Sequence, residues 1–533
     1  MSANRNFKKF ISIISLLSFV ILHSCTSKSD KNESINSVDF QFEEVTITQL
    51  QKGYTNGEFT IVNIIQRYLD RIEAIDNNGP QLNSIIQVNP NAIKIAEQLD
   101  KELKEGKPRG ILHGIPVIIK DNIDTHDTMF TTAGSRALEH SKPLQDSHIV
   151  KQLKAAGAII IAKANLSEWA NFRGEMSSSG WSGINGQTKN PYILDRNPCG
   201  SSSGSGVAVS SGLSIIAIGT ETNGSIMCPS NANGVVGIKP TVGLISRSGI
   251  IPISFTQDTA GPMTRTVTDA AICLSTLTGI DSTDIKTLAS VNNIHKDYTK
   301  FLNPDGIQGK RIGIYTRPLG KNFKVDTVFQ KAVAFIKSKG AEVIEIDKIV
   351  DNNIGGLSFQ IMLFEYKDGL NNYFKSLGSD AKIKNLKELI EFNKKDSIEM
   401  EFYNQRYLEM AQEKDGLDSD DYKNTLAKML KGSREDGIDR VMNEHQLDAI
   451  ISPTGGPAWK TDHINGDSFG LGSSSPAARA GYPNITVPMG FVDELPVGIS
   501  FFGRAWSEPI LLEIAYAYEQ GTKHRKAPKF LEH

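Results

Sequence analysis

The chain is 533 residues long, 39% hydrophobic and 22% charged, with 58 Lys and Arg against 60 Asp and Glu. A net charge of −2 provides no field to hold a polyanion, which argues against nucleic-acid binding. The composition also excludes a disordered, collagen-like or disulfide-stapled chain, and the length admits several domains or one large α/β unit. Cys25, Cys199, Cys228 and Cys273 are widely spaced, with no CxxC pair and no histidine at zinc-finger distance. They support neither a structural metal site nor a disulfide framework.

Arg5, Lys8 and Lys9 precede an apolar run over 10–22, FISIISLLSFVIL. This is the layout of a secretory signal, and the run is too short to cross a bilayer of ~30 Å as a stable helix. Leu22-His23-Ser24-Cys25 resembles a bacterial lipobox, which implies a lipoprotein signal peptide over 1–24 and a lipid on Cys25. An ordinary cleaved signal or an uncleaved anchor are the other readings. Residues 25–39, rich in Ser, Lys, Asn and Asp, read as a solvated tether. The expected location is therefore the bacterial cell envelope, lipid-anchored on the periplasmic or surface side.

Residues 40–533 show no internal repeat and no low-complexity linker, which favours one continuous unit. Thr60 opens a helix in which Ile64, Ile65, Tyr68, Leu69, Ile72 and Ile75 recur at helical spacing. Asn89-Pro90 supplies an N-cap and a first-turn proline for a second helix, carrying Ile93, Ala96, Leu99 and Leu103. Residues 115–119 predict a short apolar strand, 146–156 a helix and 158–162 another strand. Strands apolar at every position belong to a sheet covered on both faces. A Lys- and Glu-rich, mostly helical insertion follows over about 281–446, with strands at 311–315 and 343–346. Strands return at 449–452, 484–487 and 497–501, and an amphipathic helix over 508–519 closes the chain.

Three segments carry the chemistry. The first is GIPVIIKDN over 114–122, whose Lys120 ends an apolar strand. Burial there would lower its pKa toward 7, at about 4–5 kcal/mol, provided Asp121 points to the opposite face. The plain alternative is a lysine snorkelling from a strand end. The second is NPCGSSSGSG over 197–206, a flexible loop or a nest of backbone N–H groups. It also spells G-x-S-x-G and nominates Ser202 as a nucleophile, but a turn sequence, not a strand, precedes it. The third is GTETNGSI over 219–226, where Gly224 lets the chain turn sharply before Ser225. Consecutive N–H groups of Thr222, Asn223, Gly224 and Ser225 could then converge on one oxygen; the alternative is a plain turn.

Taken together, these segments resemble the amidase signature family, in which a strand lysine, a G-G-S-S-G-G-S loop and a G-T-D-x-G-G-S-I turn follow in this order. Ser225 lies 24 residues after Ser201, the family's spacing. Stretches at 131–135, 234–241, 258–262 and 480–483 agree, so the similarity runs from about 46 to 518. It implies an α/β fold with a large mixed β-sheet core covered by helices on both faces. It implies Ser225 as nucleophile, Ser201 as the cis-serine and Lys120 as neutral base, with an oxyanion hole at Thr222, Asn223, Gly224 and Ser225. Metal and organic cofactors have no role in that scheme. Cys199, Ser203 and Asn223 each replace a glycine of the family pattern, and Met227 stands where many relatives have Arg. Residues 197–205, 219–222, 224–229 and 506–509 resemble the bacterial peptide amidase branch, which implies release of ammonia from C-terminal peptide amides.

The expected partners are thus a small-molecule or peptide amide and, through the lipid, a membrane, without nucleic acid or an obligatory protein partner. Rival readings are an amidase of small aliphatic or aryl amides, a transamidation subunit, a histidine-dependent hydrolase using Ser202, and a non-catalytic peptide-binding lipoprotein.

Overall fold

The computed structural model describes residues 40–533. The expected signal peptide, Cys25 and the tether lie outside the described residues. The apolar runs near 117 and 160 form neighbouring parallel strands deep in a large sheet. In chain order the first strands are β1 (Ile85–Val88), β2 (Pro116–Lys120) and β3 (Ile159–Ala164). A separate two-stranded ribbon follows, β4 (Trp181–Ser182) with β5 (Gly186–Gln187). Then come β6 (Ile216–Glu221), β7 (Val236–Lys239), β8 (Thr259–Thr264), β9 (Arg311–Tyr315) and β10 (Glu342–Ile346). The last are β11 (Ala449–Pro453), β12 (Asn484–Val492) and β13 (Leu495–Phe502).

The main sheet has 11 strands in the order β1-β3-β2-β6-β8-β7-β12-β13-β11-β9-β10. It is mixed: β3, β2 and β6 run parallel, as do β11, β9 and β10, while the strands between pair antiparallel. Every residue of β2, β3 and β6 is buried, which is why their sequences lack polar alternation. The strands expected at 311–315 and 343–346 are β9 and β10, so part of the mostly helical stretch extends this same sheet.

Two helix starts shift for physical reasons. The helix Ala92–Lys104 is preceded by Asn91 rather than Asn89, because Asn89 Oδ1 instead accepts from Asn91 N at 2.9 Å and closes a turn ahead of it. The helix expected from 146 spans His148–Ala155. Its cap is Ser147, whose hydroxyl accepts from Val150 N, while Asp146 takes the Lys154 ammonium at 2.9 Å. Cysteine spacing offered no disulfide, yet Cys199 and Cys228 are bonded, their Cα atoms 5.8 Å apart. The chain folds back between them, and spacing in sequence carries no trace of that. Cys273 is free and buried.

The helix Ser203–Ser210 is buried on every side, so its Gly, Ser, Ala and Val carry no amphipathic pattern. A buried ionic cluster fastens the helical stretch to the loop after β3. Arg173 Nη1 lies 3.1 Å from Glu168 and 2.9 Å from Glu399, with Tyr403 stacked 3.8 Å from the guanidinium. All three ionic side chains are fully buried, and burial beside Glu399 pushes the Glu168 carboxyl well above the usual range. Removing the cation would leave two acids without a counter-ion. Arg173→Leu is expected to lower unfolding free energy by about 3–5 kcal/mol in a denaturant titration. A change below about 1 kcal/mol would show that the cluster contributes no net stability.

Candidate active site

Lys120 is the last residue of β2, held between β3 and β6, and its side chain is fully buried. Its Nζ lies 2.8 Å from Ser201 Oγ, 2.8 Å from Thr220 Oγ1 and 3.4 Å from Thr220 O. Asn122 Nδ2 donates to the same Thr220 hydroxyl at 3.1 Å. Alternation along the strand turns Asp121 away from the amine, where it lies 3.8 Å from the second buried lysine, Lys163. Burial brings the Lys120 pKa down to about 7, against the opposing charges of Asp258 and Glu221. An uncharged amine can accept the Ser201 proton; a snorkelling ammonium could not.

The loop before the Ser203–Ser210 helix delivers Ser201. Asn197 Oδ1 accepts from Cys199 N at 2.8 Å, and Ser203 Oγ donates to Cys199 O at 2.6 Å. The Gly200–Ser201 peptide is cis. Ser202, the G-x-S-x-G candidate, faces elsewhere: its hydroxyl accepts from Thr220 N at 3.2 Å and donates to Thr220 O at 3.1 Å. It is fully buried, and among the described residues no histidine is hydrogen-bonded to it or to Ser225.

The nucleophile candidate rides on the turn after β6. Glu221 Oε2 accepts from Ile226 N at 2.8 Å and Met227 N at 3.0 Å, folding residues 222–226 back on themselves. Gly224 sits at φ 86°, a conformation that favours glycine. Glu221 takes up the N–H groups of Ile226 and Met227, and among the described residues no hydrogen bond takes up those of Thr222, Asn223, Gly224 and Ser225. Asp258 fixes the turn from one side, accepting from Thr222 Oγ1 at 2.5 Å and from Ile253 N and Ser254 N at 2.8 Å. Asn223 fixes it from the other, accepting from Ser474 Oγ at 2.9 Å and donating to Ser475 Oγ at 3.2 Å. Ser225 O accepts from Ser202 N at 3.1 Å. The structure therefore joins Lys120 and Ser201 directly, and ties Ser225 through its carbonyl to Ser202, the residue after Ser201. Ser225 Oγ has no hydrogen-bond partner among the described residues.

Ser225 opens onto a cleft of about 530 Å³. Phe172, Met362, Tyr407, Trp459 and Phe469 provide its aromatic and apolar walls, and Asp467 is the one carboxylate in a lining that has no Lys, Arg or His. Sequence reasoning missed Thr220, Glu221, Asp258 and Asn122 as supports. All four stand inside motifs whose letters were already visible, but nothing in the letters says which groups they hold. Ser474 and Ser475 lie some 250 residues from Asn223 and gave no signal at all.

A family model described as Amidase matches residues 63–512. A probable amidase of Arabidopsis thaliana is 38% identical, over 97% of this chain and 97% of its own. Native peptide amidase from Stenotrophomonas maltophilia is 46% identical with a TM-score of 0.89, covering 92% of this chain and 99% of that one. An amidase family protein from Bacillus anthracis is 36% identical with a TM-score of 0.84, covering 91% and 92%. These findings overturn the lipid-anchored envelope location expected from the leader. Among the described residues no helix is long and apolar enough to cross a membrane.

The burial of Lys120 is open to direct measurement. Between about 7 and its ordinary 10.5 the folded amine binds fewer protons than the unfolded one, so its contribution to stability rises as pH climbs through that window. In NMR of protein labelled with 15N at lysine Nζ, the resonance lost in Lys120→Ala is expected to titrate with a midpoint of about 7. A midpoint near ~10 would show an amine in contact with water.

Proposed function

This chain belongs to the amidase family, and from that premise we propose that it releases ammonia from C-terminal peptide amides through Lys120, Ser201 and Ser225. It is an amide hydrolase. The observation that carries the assignment of roles is the fully buried Lys120 Nζ, 2.8 Å from Ser201 Oγ and held near neutrality at physiological pH.

In this reading Ser225 Oγ turns toward Ser201 when substrate enters and attacks the amide carbon. Its proton passes to Ser201 as the Ser201 proton passes to Lys120. The carbonyl oxygen, now negative, rests on the N–H groups of the turn over 222–225, where one donor is typically worth ~3–4 kcal/mol of barrier. Lys120, protonated, returns a proton through Ser201 to the departing nitrogen, and ammonia leaves. Water then enters, loses a proton along the same relay and frees the acyl group as a carboxylic acid, restoring all three side chains.

Two features support a peptide amide as substrate. One is the likeness to the Stenotrophomonas maltophilia peptide amidase. The other is the cleft: with Asp467 in its lining and no Lys, Arg or His, it offers no cation to pair with a carboxylate. A neutral carboxamide terminus fits such a lining, and its aromatic walls suit the apolar side chains of a peptide.

Ammonia release from amidated peptides tests the proposal. Ser225→Ala should lose at least about 10³-fold in kcat, whereas Ser202→Ala should retain turnover. The reverse pattern would move the nucleophile to Ser202. Because the base acts uncharged, kcat/KM should fall about tenfold per pH unit below a midpoint of about 7. A profile flat down to pH 5 would remove Lys120 from the role of base.

A further inference from the structure

We propose that the Cys199–Cys228 disulfide is a positioning crosslink for the two serines, and that a dithiol reductant reaching the cleft slows turnover by opening it. This rests on the roles proposed for Ser201 and Ser225. Cys199 lies two residues before Ser201 and Cys228 three after Ser225, so the bond closes a loop with a sequence separation of 29 that carries both hydroxyls. Each half is itself tied to the segment holding its serine. Cys199 is pinned through N by Asn197 and through O by Ser203, and Cys228 N donates to Gly224 O at 2.7 Å.

These segments need such a tie. Residues 200–206 are Gly and Ser, with no large apolar side chain to anchor them, and the helix after Ser225, Met227–Ala232, has 6 residues. No hydrogen bond joins the two serine side chains. Apart from the disulfide, the two segments are joined by hydrogen bonds: Ser202 N to Ser225 O, Ser202 Oγ to the Thr220 backbone, Lys120 Nζ between Ser201 and Thr220, and Asn233 Nδ2 to Pro198 O at 2.9 Å. Cys199 also occupies φ 58°, a left-handed conformation that favours glycine. A cysteine held there follows from a requirement for the bond, not from backbone preference.

Both cysteines line the cleft that Ser225 faces and keep a small exposed fraction, 4% for Cys199 and 8% for Cys228, so the cleft is the side from which a small dithiol would approach the sulfurs. One reductant thiolate attacks a sulfur of the pair, forming a mixed disulfide and expelling the other cysteine as thiolate. The second reductant thiol then displaces the bound cysteine and closes the reductant's own disulfide. Two electrons pass to the protein, and two protons end on the Cys199 and Cys228 sulfurs.

The experiment compares oxidised and dithiothreitol-reduced enzyme on an amidated peptide, with thiols counted by alkylation and mass spectrometry and the fold followed by circular dichroism. Reduction should free Cys199 and Cys228, keep the fold and leave KM within about twofold while kcat drops about tenfold or more, recovering on reoxidation. The double variant Cys199→Gly/Cys228→Ala, which relaxes the left-handed position, should show the same lower kcat and ignore dithiothreitol. Unchanged kcat with both cysteines alkylated, or wild-type kcat in the double variant, would overturn the proposal. Unfolding of both reduced enzyme and double variant would also overturn it, since the bond would then be a general staple. If the oxidised enzyme released no ammonia, the functional reading would fail instead.

Discussion

The site depends on an amine buried away from bulk solvent. Lys120 is carried to its place by a strand buried on both faces and comes to rest against two hydroxyls and a carbonyl, with no acid in contact. Holding that amine near neutrality costs roughly 4–5 kcal/mol relative to an exposed lysine, at about 1.4 kcal/mol per pKa unit. The surrounding sheet offsets this through continuous apolar burial. In the proposed mechanism this makes Lys120 a base able to take a proton from a hydroxyl without a histidine.

The neighbouring carboxylates serve geometry at some cost to electrostatics. Glu221 folds the turn that presents Ser225, and Asp258 clamps Thr222 to the backbone of 253–254. Both charges favour the protonated form of Lys120, and desolvation outweighs them. Burial also lifts Asp258 to about 6, which tempers its pull on the amine near and below that pH. The low pKa of Lys120 is thus set by desolvation, while the turn that carries Ser225, the proposed nucleophile, is shaped by buried acids bonded to backbone N–H groups.

Much of this was legible before folding was considered. Strands 311–315 and 449–452 could be read from their short apolar runs, Ile312, Ile314 and Tyr315 in one and Ala449, Ile450 and Ile451 in the other, and β9 and β11 occupy those places. Lys120 could be singled out because a charged residue ended such a run, and Ser201 and Ser225 because their spacing matched a known pattern. The pairing order of the sheet was not legible, since it depends on contacts between distant segments. Nor was the Cys199–Cys228 bond, because the cysteines meet only after residues 200–227 fold into a helix and a strand. Asn223 looked like a lost glycine; its use as a tether appears only once Ser474 and Ser475 are brought across the cleft. The N-terminal leader misled about location, because a basic-then-apolar pattern is read by composition alone.

The most direct test measures nucleophile activation itself, apart from substrate preference. A small fluorophosphonate should label Ser225, and its second-order rate should rise with pH about a midpoint of about 7 in the native enzyme. In Lys120→Arg, where the cation cannot be discharged, labelling should be slow and independent of pH across this range. Equal rates in the two proteins, or an adduct on Ser202 instead, would contradict the account.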